Sequence, residues 1–92
     1  MALIFTRIQR KIRDGNFLAK GHVLDELEGD GFAELDAVSA ILNAVEFDKL
    51  TDDESHVRYI FYGQARDHRR LAVVVTIHQG TVILKTAYED IG

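Results

Sequence analysis

The chain has 92 residues, 47% of them apolar, and a net charge of −4 at pH 7. This length suits a single domain, 1–92, because two separate cores would each be too small. The absence of cysteine excludes a disulfide framework, a thiolate zinc site and a cysteine nucleophile. No apolar run approaches the roughly 20 residues of a membrane helix, and apolar residues 1–5 precede basic ones, the reverse of a secretory signal. We therefore expect a cytoplasmic protein that does not bind membranes.

The first predicted helix begins at Thr6 and ends at Gly15. The Thr6 hydroxyl would cap the amide of Gln9, whose side chain would reach back in a capping box. Ile8 and Ile12 lie one turn apart and are expected to face the core. The rest of this helix is basic, so it is available to an anionic partner unless its charges pair within the fold.

Two further helices are predicted in the first half of the chain. A connection over 16–21 leads to a helix over 22–28, which Gly29-Asp30-Gly31 stops. Apolar residues at helical spacing then predict a third helix over 35–43.

The periodicity changes after the third helix. A short strand over 45–50, an acidic loop over 51–55 and a strand over 56–62 rich in aromatic and β-branched residues are predicted. Two longer strands, 69–77 and 81–89, complete the chain. Helices followed by strands with short loops indicate an α+β fold, in which two or three N-terminal helices pack on a C-terminal antiparallel sheet of three to four strands.

The last two strands flank Gln79-Gly80, a pair typical of a two-residue hairpin turn. If these residues form the loop, His78 opposes Thr81, and counting back predicts the pairs Arg70–Glu89, Leu71–Tyr88 and Val73–Thr86.

The two faces of this hairpin differ little in polarity. One would carry Leu71, Val73, Val75, Ile77, Val82, Leu84, Thr86 and Tyr88. The other would carry Ala72, Val74, Thr76, His78, Thr81, Ile83, Lys85 and Ala87. Because the second face is too apolar to be plainly solvated, a partner or a second copy in a homodimer is expected to cover it.

Several short motifs occur in an order that resembles a known family. They include Gly15-Asn16-Phe17, His22-Val23, Gly31-Phe32, Val57-Arg58-Tyr59-x3-Gly63 and Thr86-Ala87-Tyr88-Glu89. From residue 8 to residue 89 the chain resembles the bacterial domain-of-unknown-function family numbered forty-two fifty-eight. That family is distantly similar to RelE- and BrnT-type toxins, so the resemblance implies an RNA-cutting domain that works without a metal and is held inactive by a cognate antitoxin.

Candidate catalytic residues follow from the needs of metal-free RNA cleavage, which are proton transfer and cations around the phosphate. His22 is expected to shuttle a proton, Arg58 to bind phosphate oxygens, and Thr86 and Tyr88 to donate hydrogen bonds or a proton. Each also has a structural interpretation. His22 would bond Glu26 or cap a backbone group, and Arg58 would form an ion pair. Tyr88, beside Leu71, would be an amphipathic core residue, and Thr86 an ordinary strand residue.

A basic cluster of Arg66, Arg69 and Arg70 is the candidate RNA-phosphate site. The alternative for Arg70 is an ion pair with Glu89 across the hairpin. The four histidines lie on different predicted elements without the close spacing of metal ligands, so we expect neither a metal nor another cofactor.

Two hypotheses for function remain open. The first is a toxin-like domain acting on RNA as a metal-independent endoribonuclease, with RNA and an antitoxin as partners. The second is a non-catalytic protein-interaction or homodimerisation module of the same fold. The acidic residues of the second helix, where the family usually has arginines, favour the second hypothesis because they would repel phosphate.

Overall fold

A computed structural model describes residues 3–51 and 57–91 of the chain. Within these ranges the helices are α1 (Leu3–Arg13), α2 (Gly21–Gly29) and α3 (Glu34–Asn43), and the strands are β1 (Phe17–Ala19), β2 (Glu46–Thr51), β3 (Val57–Gln64), β4 (Arg70–His78) and β5 (Thr81–Glu89). The α+β class is confirmed, and α2 and α3 lie within one residue of their predicted bounds. The predicted acidic loop falls mostly on residues 52–55, outside the described ranges. No described helix is long and apolar enough to cross a lipid bilayer.

The strands form one five-stranded sheet in the order β1-β5-β4-β3-β2. Helix α2 packs on β5, α3 packs on β3 and β4, and α1 lies against α3 and β5. The three helices share one apolar core with the inner face of the sheet. Its fully buried side chains include Ile8, Val23, Leu27, Ile41, Phe61, Leu71, Val73, Val75, Val82 and Leu84.

The first helix begins earlier than its predicted cap. Thr6 lies inside α1, so the predicted Thr6–Gln9 capping box is wrong. The Gln9 amide instead donates to the Ile41 carbonyl at 2.9 Å, which ties α1 to α3. The helix end is as expected, because Gly15 has a φ of +78° and the amides of Gly15 and Asn16 bond back to the last turn of α1.

The predicted antiparallel sheet of three to four strands is wrong in number and in type. The segment predicted as a plain connection contains β1, which pairs in parallel with β5, Phe17 opposite Val82 and Ala19 opposite Leu84. A strand of three residues leaves no periodicity to detect, and its partner lies more than sixty residues away along the chain.

The turn of the last hairpin is confirmed. Gln79 and Gly80 both have positive φ, at 51° and 83°, which is the conformation that a tight two-residue turn requires. His78 pairs with Thr81 as predicted.

Further from the turn, the predicted pairing is wrong by one residue. The register shifts between Val74 and Val75, so Thr86 pairs with Val74 and Leu84 with Val75, leaving Lys85 as the extra residue of a β-bulge. The observed pairs therefore replace the predicted Arg70–Glu89, Leu71–Tyr88 and Val73–Thr86; they are Leu71–Glu89, Ala72–Tyr88 and Val73–Ala87.

The bulge exchanges side chains between the two faces of β5. Ala87 joins the main core, although it was predicted on the opposite face. Tyr88 moves to the outer face, opposite Ala72, and is 42% exposed. On that outer face Ile60 and Val74 are at most 9% exposed, because neighbouring side chains such as Tyr62 pack over them. The outer face is thus less open than the sequence suggested.

Candidate functional site

Side chains of helix α2 hydrogen-bond the backbone of β5 beyond the point where β1 ends. The last residue of β1 lies opposite Leu84, and the next carbonyl, that of Lys85, hydrogen-bonds Nε2 of His22. The amide of Ala87 donates to Oε1 of Glu26 at 3.1 Å. His22 and Glu26, one helical turn apart, therefore bind two backbone groups around the bulge.

Thr86 completes this cluster. Its hydroxyl donates to the same oxygen of Glu26 at 2.6 Å. The hydrogen bond from Thr86 lowers the pKa of Glu26, the Ala87 amide and the nearby His22 act in the same direction, and partial burial opposes them. Glu26 is consequently ionised at neutral pH.

The contact with Lys85 fixes the tautomer of His22. A carbonyl oxygen only accepts hydrogen bonds, so Nε2 carries the hydrogen in this contact. The side chain is exposed, and none of the hydrogen bonds within the described ranges involves Nδ1. The Lys85 carbonyl thus orients the His22 ring, which lies near the Glu26 carboxylate.

Neither of the two other predicted catalytic residues takes part in the hydrogen bonds that join this cluster. Tyr88 follows Thr86 by two residues on β5 and pairs with Ala72. Arg58 is on β3 opposite Leu50. Two strand spacings, about 10 Å, separate β3 from β5, so Arg58 does not reach the groups around His22 from its backbone position.

The predicted phosphate cluster is divided among different partners. Arg66 binds the buried carboxylate of Asp36, with its Nε 2.9 Å from Oδ1. Hydrogen bonds from Arg66 and from the amides of Ala33 and Arg66 lower the pKa of Asp36 to about 2, against the effect of burial. Arg66 therefore holds the loop after β3 to α3.

Arg69 is also engaged within the fold. Its guanidinium donates to the carbonyls of Asp30 and Gly31, at 3.0 and 2.9 Å, and lies 4.0 Å from the centroid of the Phe32 ring. Its Nε contacts Asp67 at 2.8 Å. Arg69 thus stabilises the C-terminal end of α2, where carbonyl groups lack helical partners.

Arg70 pairs with Asp90 at 3.2 Å, whereas the predicted partner was Glu89. The bulge explains this change, because it places Glu89 opposite Leu71 and moves Asp90 next to Arg70. Arg70 is 59% exposed and is the member of the predicted cluster most open to solvent.

A cleft of about 220 Å³ lies elsewhere, at the sheet end near Arg70. It is lined by Asn43, Val45, Glu46, Tyr62, Gly63, Gln64 and Arg70. Tyr62 donates to Asp48 beside it at 2.9 Å. None of the groups around His22 lines this cleft. The His22 and Glu26 side chains lie at the surface, where both are exposed.

The sequence predicts two members of the His22 cluster, His22 and Thr86, but not the contact of His22 with the Lys85 carbonyl. His22 and Thr86 were predicted; Glu26 was considered as a partner of His22, and its i, i+4 spacing was the available signal. The part played by the Lys85 carbonyl depends on the bulge, for which the sequence has no marker. Within residues 3–51 and 57–91, no three His, Asp or Glu side chains form a group that could hold a metal ion.

Comparison of the chain with models of protein families, with curated proteins and with solved structures finds no match.

Proposed function

We propose that the chain is a toxin-like domain that cleaves RNA without a metal, with His22 as the residue that transfers the proton. The observation that carries this proposal is the convergence of His22, Glu26 and Thr86 at the bulge of β5, where an oriented imidazole faces solvent beside an ionised carboxylate. The resemblance to the forty-two fifty-eight family, and through it to RelE and BrnT toxins, supports the same activity by analogy.

In the proposed reaction, Nδ1 of His22 takes the proton of an RNA 2′-hydroxyl. The freed oxygen attacks the adjacent phosphorus, the bond from phosphorus to the 5′-oxygen breaks, and the products are a 2′,3′-cyclic phosphate and a 5′-hydroxyl end. The leaving oxygen takes a proton from solvent because the site is open. Glu26 holds the protonated imidazole electrostatically, and the Lys85 carbonyl keeps the ring in one tautomer.

One variant of His22 and one control variant of another histidine test this role. His22→Gln retains an amide donor for the Lys85 carbonyl but has no group that titrates near neutral pH, so it separates proton transfer from the hydrogen bond. Loss of a proton-transfer group typically costs ~10² to 10⁴ in rate. His78→Ala, at the far end of the hairpin, is the control.

The assay incubates each protein with single-stranded RNA in the presence of a chelator and identifies the new ends. The proposal predicts cyclic phosphate ends with the wild type and with His78→Ala, and a strong loss with His22→Gln. Intact RNA at micromolar wild-type protein, or equal cleavage by His22→Gln, would contradict it.

A second candidate is a non-catalytic interaction module of the same fold. It is favoured by the fact that the hydrogen bonds of His22, Glu26 and Thr86 all join parts of this chain, so these residues have a complete structural explanation as a cover for the edge of β5. The acidic character of α2 points the same way. Sedimentation and co-purification of the free protein test this candidate: a monomer with no co-purifying partner would count against it.

A further inference from the structure

The outward face of α1 carries three arginines. Arg7, Arg10 and Arg13 are exposed and follow one another at intervals of three residues, which is a rise of about 4.5 Å per step. At 100° per residue, Arg10 lies opposite the midpoint between the buried Ile8 and Ile12, with Arg7 and Arg13 on either side. None of the ion pairs within the described ranges involves these three arginines.

The backbone beneath these arginines is held in place by other residues of the helix. Ile8 and Ile12 are at most 2% exposed. Gln9 is bound to the end of α3, and the Lys11 ammonium donates to the Gly80 carbonyl at 2.7 Å. The arginines therefore make no contribution to the core, and a rigid helix presents them to solvent.

Strand β1 joins the C-terminal end of α1, which contacts Gly80, to the N-terminal end of α2, where His22 contacts Lys85. Arg13 ends α1, β1 follows over a length of about 10 Å, and Lys20 then stands at the N-terminal end of α2, two residues before His22. The exposed acids of α2, among them Asp25 and Glu28, come only after His22. A polyanion that passes from Arg13 along β1 meets one exposed acid, Asp14, and then Lys20 before it reaches the proposed proton-transfer residue.

We infer that the arginine face of α1, with Lys20, is the surface that binds the backbone of single-stranded RNA and delivers it to His22. This inference rests on the proposed function for its choice of polyanion. The chain as a whole is acidic, with a net charge of −4, so its attraction for RNA must come from a local basic surface. Residues 1–20 carry a net charge of +4, whereas residues 21–54 carry −10.

Binding is measured by fluorescence anisotropy of labelled single-stranded RNA as a function of salt. The His22→Gln protein serves as the parent, since it is expected to bind RNA without cutting it. In that parent, Arg7, Arg10 and Arg13 are changed together to Gln, which keeps helix propensity. Lys49→Gln, on the edge strand β2, is the control for loss of a cation elsewhere, and circular dichroism checks the fold.

The inference predicts at least tenfold weaker binding by the triple variant. It also predicts a weaker dependence of binding on salt. The slope of the logarithm of the association constant against the logarithm of the salt concentration should become less negative by about 2, because each lost phosphate contact on a single strand changes this slope by about 0.7. Lys49→Gln should bind like the parent. Equal affinity of the triple variant and the parent for RNA would overturn the inference, and so would absence of RNA binding by the parent. Displacement of labelled RNA from the parent by polyglutamate as readily as by unlabelled RNA would also overturn it.

The outcome is separable from that of the proposed function. If the wild type binds RNA through these arginines but leaves it intact, the binding surface stands and the cleavage proposal falls. If the triple variant in the wild-type background cleaves RNA at the normal rate, the cleavage proposal stands and the binding surface falls.

Discussion

Replacement of Asp36 by Asn is expected to lower the free energy of unfolding by up to about 2 to 3 kcal/mol at neutral pH. Asp36 is 7% exposed in α3. Its Oδ1 accepts from the side chain and the amide of Arg66, at 2.9 and 3.0 Å, and its Oδ2 accepts from the amide of Ala33 at 2.7 Å. An Asn side chain would offer one acceptor in place of two, and its NH₂ group would face a donor.

The magnitude follows from the pKa of this carboxyl group. The hydrogen bond from Arg66 is the largest cause of a fall from 3.8 to about 2. At about 1.4 kcal/mol per pH unit this corresponds to about 2 to 3 kcal/mol. It is an upper figure because the Arg66 side chain is 55% exposed and solvent screens the pair. Since the folded pKa is below the unfolded one, the contribution is fully present above about pH 4 and is lost as the pH falls through about 2.

Urea denaturation at a series of pH values measures this effect. The difference in unfolding free energy between wild type and Asp36→Asn should be largest near pH 7 and should narrow as the pH falls toward 2. Asp67→Asn is the control, since the Asp67 side chain is 55% exposed and a smaller difference is expected. A difference that does not change with pH would refute the assignment of the stability to the ionised carboxylate.

Three further predictions each concern the contacts of one residue. Gly63→Ala should lower the thermal unfolding midpoint, because a Cβ at this position would lie 1.9 Å from the Ala40 carbonyl oxygen. Helix α3 would have to move away from β3, at a cost of about 1–3 kcal/mol. An unchanged midpoint would contradict the close approach of α3 to β3 at Gly63. Arg69→Lys should speed hydrogen exchange at the end of α2, because lysine cannot bind two carbonyls and stack on Phe32 together; unaltered exchange would argue against the clamp. The hydrogen bond to Asp48 is the main cause that raises the pKa of Tyr62 to about 12. One of the three tyrosines should therefore ionise at a higher pH than the others in an ultraviolet titration. Three tyrosines that ionise together near pH 10 would count against that hydrogen bond.

Local signals were sufficient for most of the fold. The end of α1 at Gly15, the existence of α2 and α3, and the turn at Gln79-Gly80 each depend on residues that are neighbours in the chain. Helix periodicity and turn chemistry act over these short distances, so the sequence predicts them.

The errors arose where distant parts of the chain decide the structure. Strand β1 exists because β5 offers it an edge, and the bulge at Lys85 changes the pairing of every residue beyond it. A shift of one residue moves side chains to the other face of a sheet, which is why Tyr88 and Ala87 exchanged sides relative to the prediction.

The candidate site shows the same division between local and distant causes. His22 was predicted from its position at a helix start, and its spacing to Glu26 is visible in the sequence. Its actual partner, the Lys85 carbonyl, follows from the bulge. The sequence does not predict the partners of Arg66 and Arg69, because Asp36 and the carbonyls at the end of α2, which bind them, lie far away in sequence.

The rate of RNA cleavage in chelator, measured for the wild type and for His22→Gln, decides whether His22 transfers the proton. We expect 2′,3′-cyclic phosphate ends from the wild type and a rate lower by ~10² or more for the variant. Wild-type protein that leaves RNA intact, or a variant that cuts at the wild-type rate, would contradict the role assigned to His22.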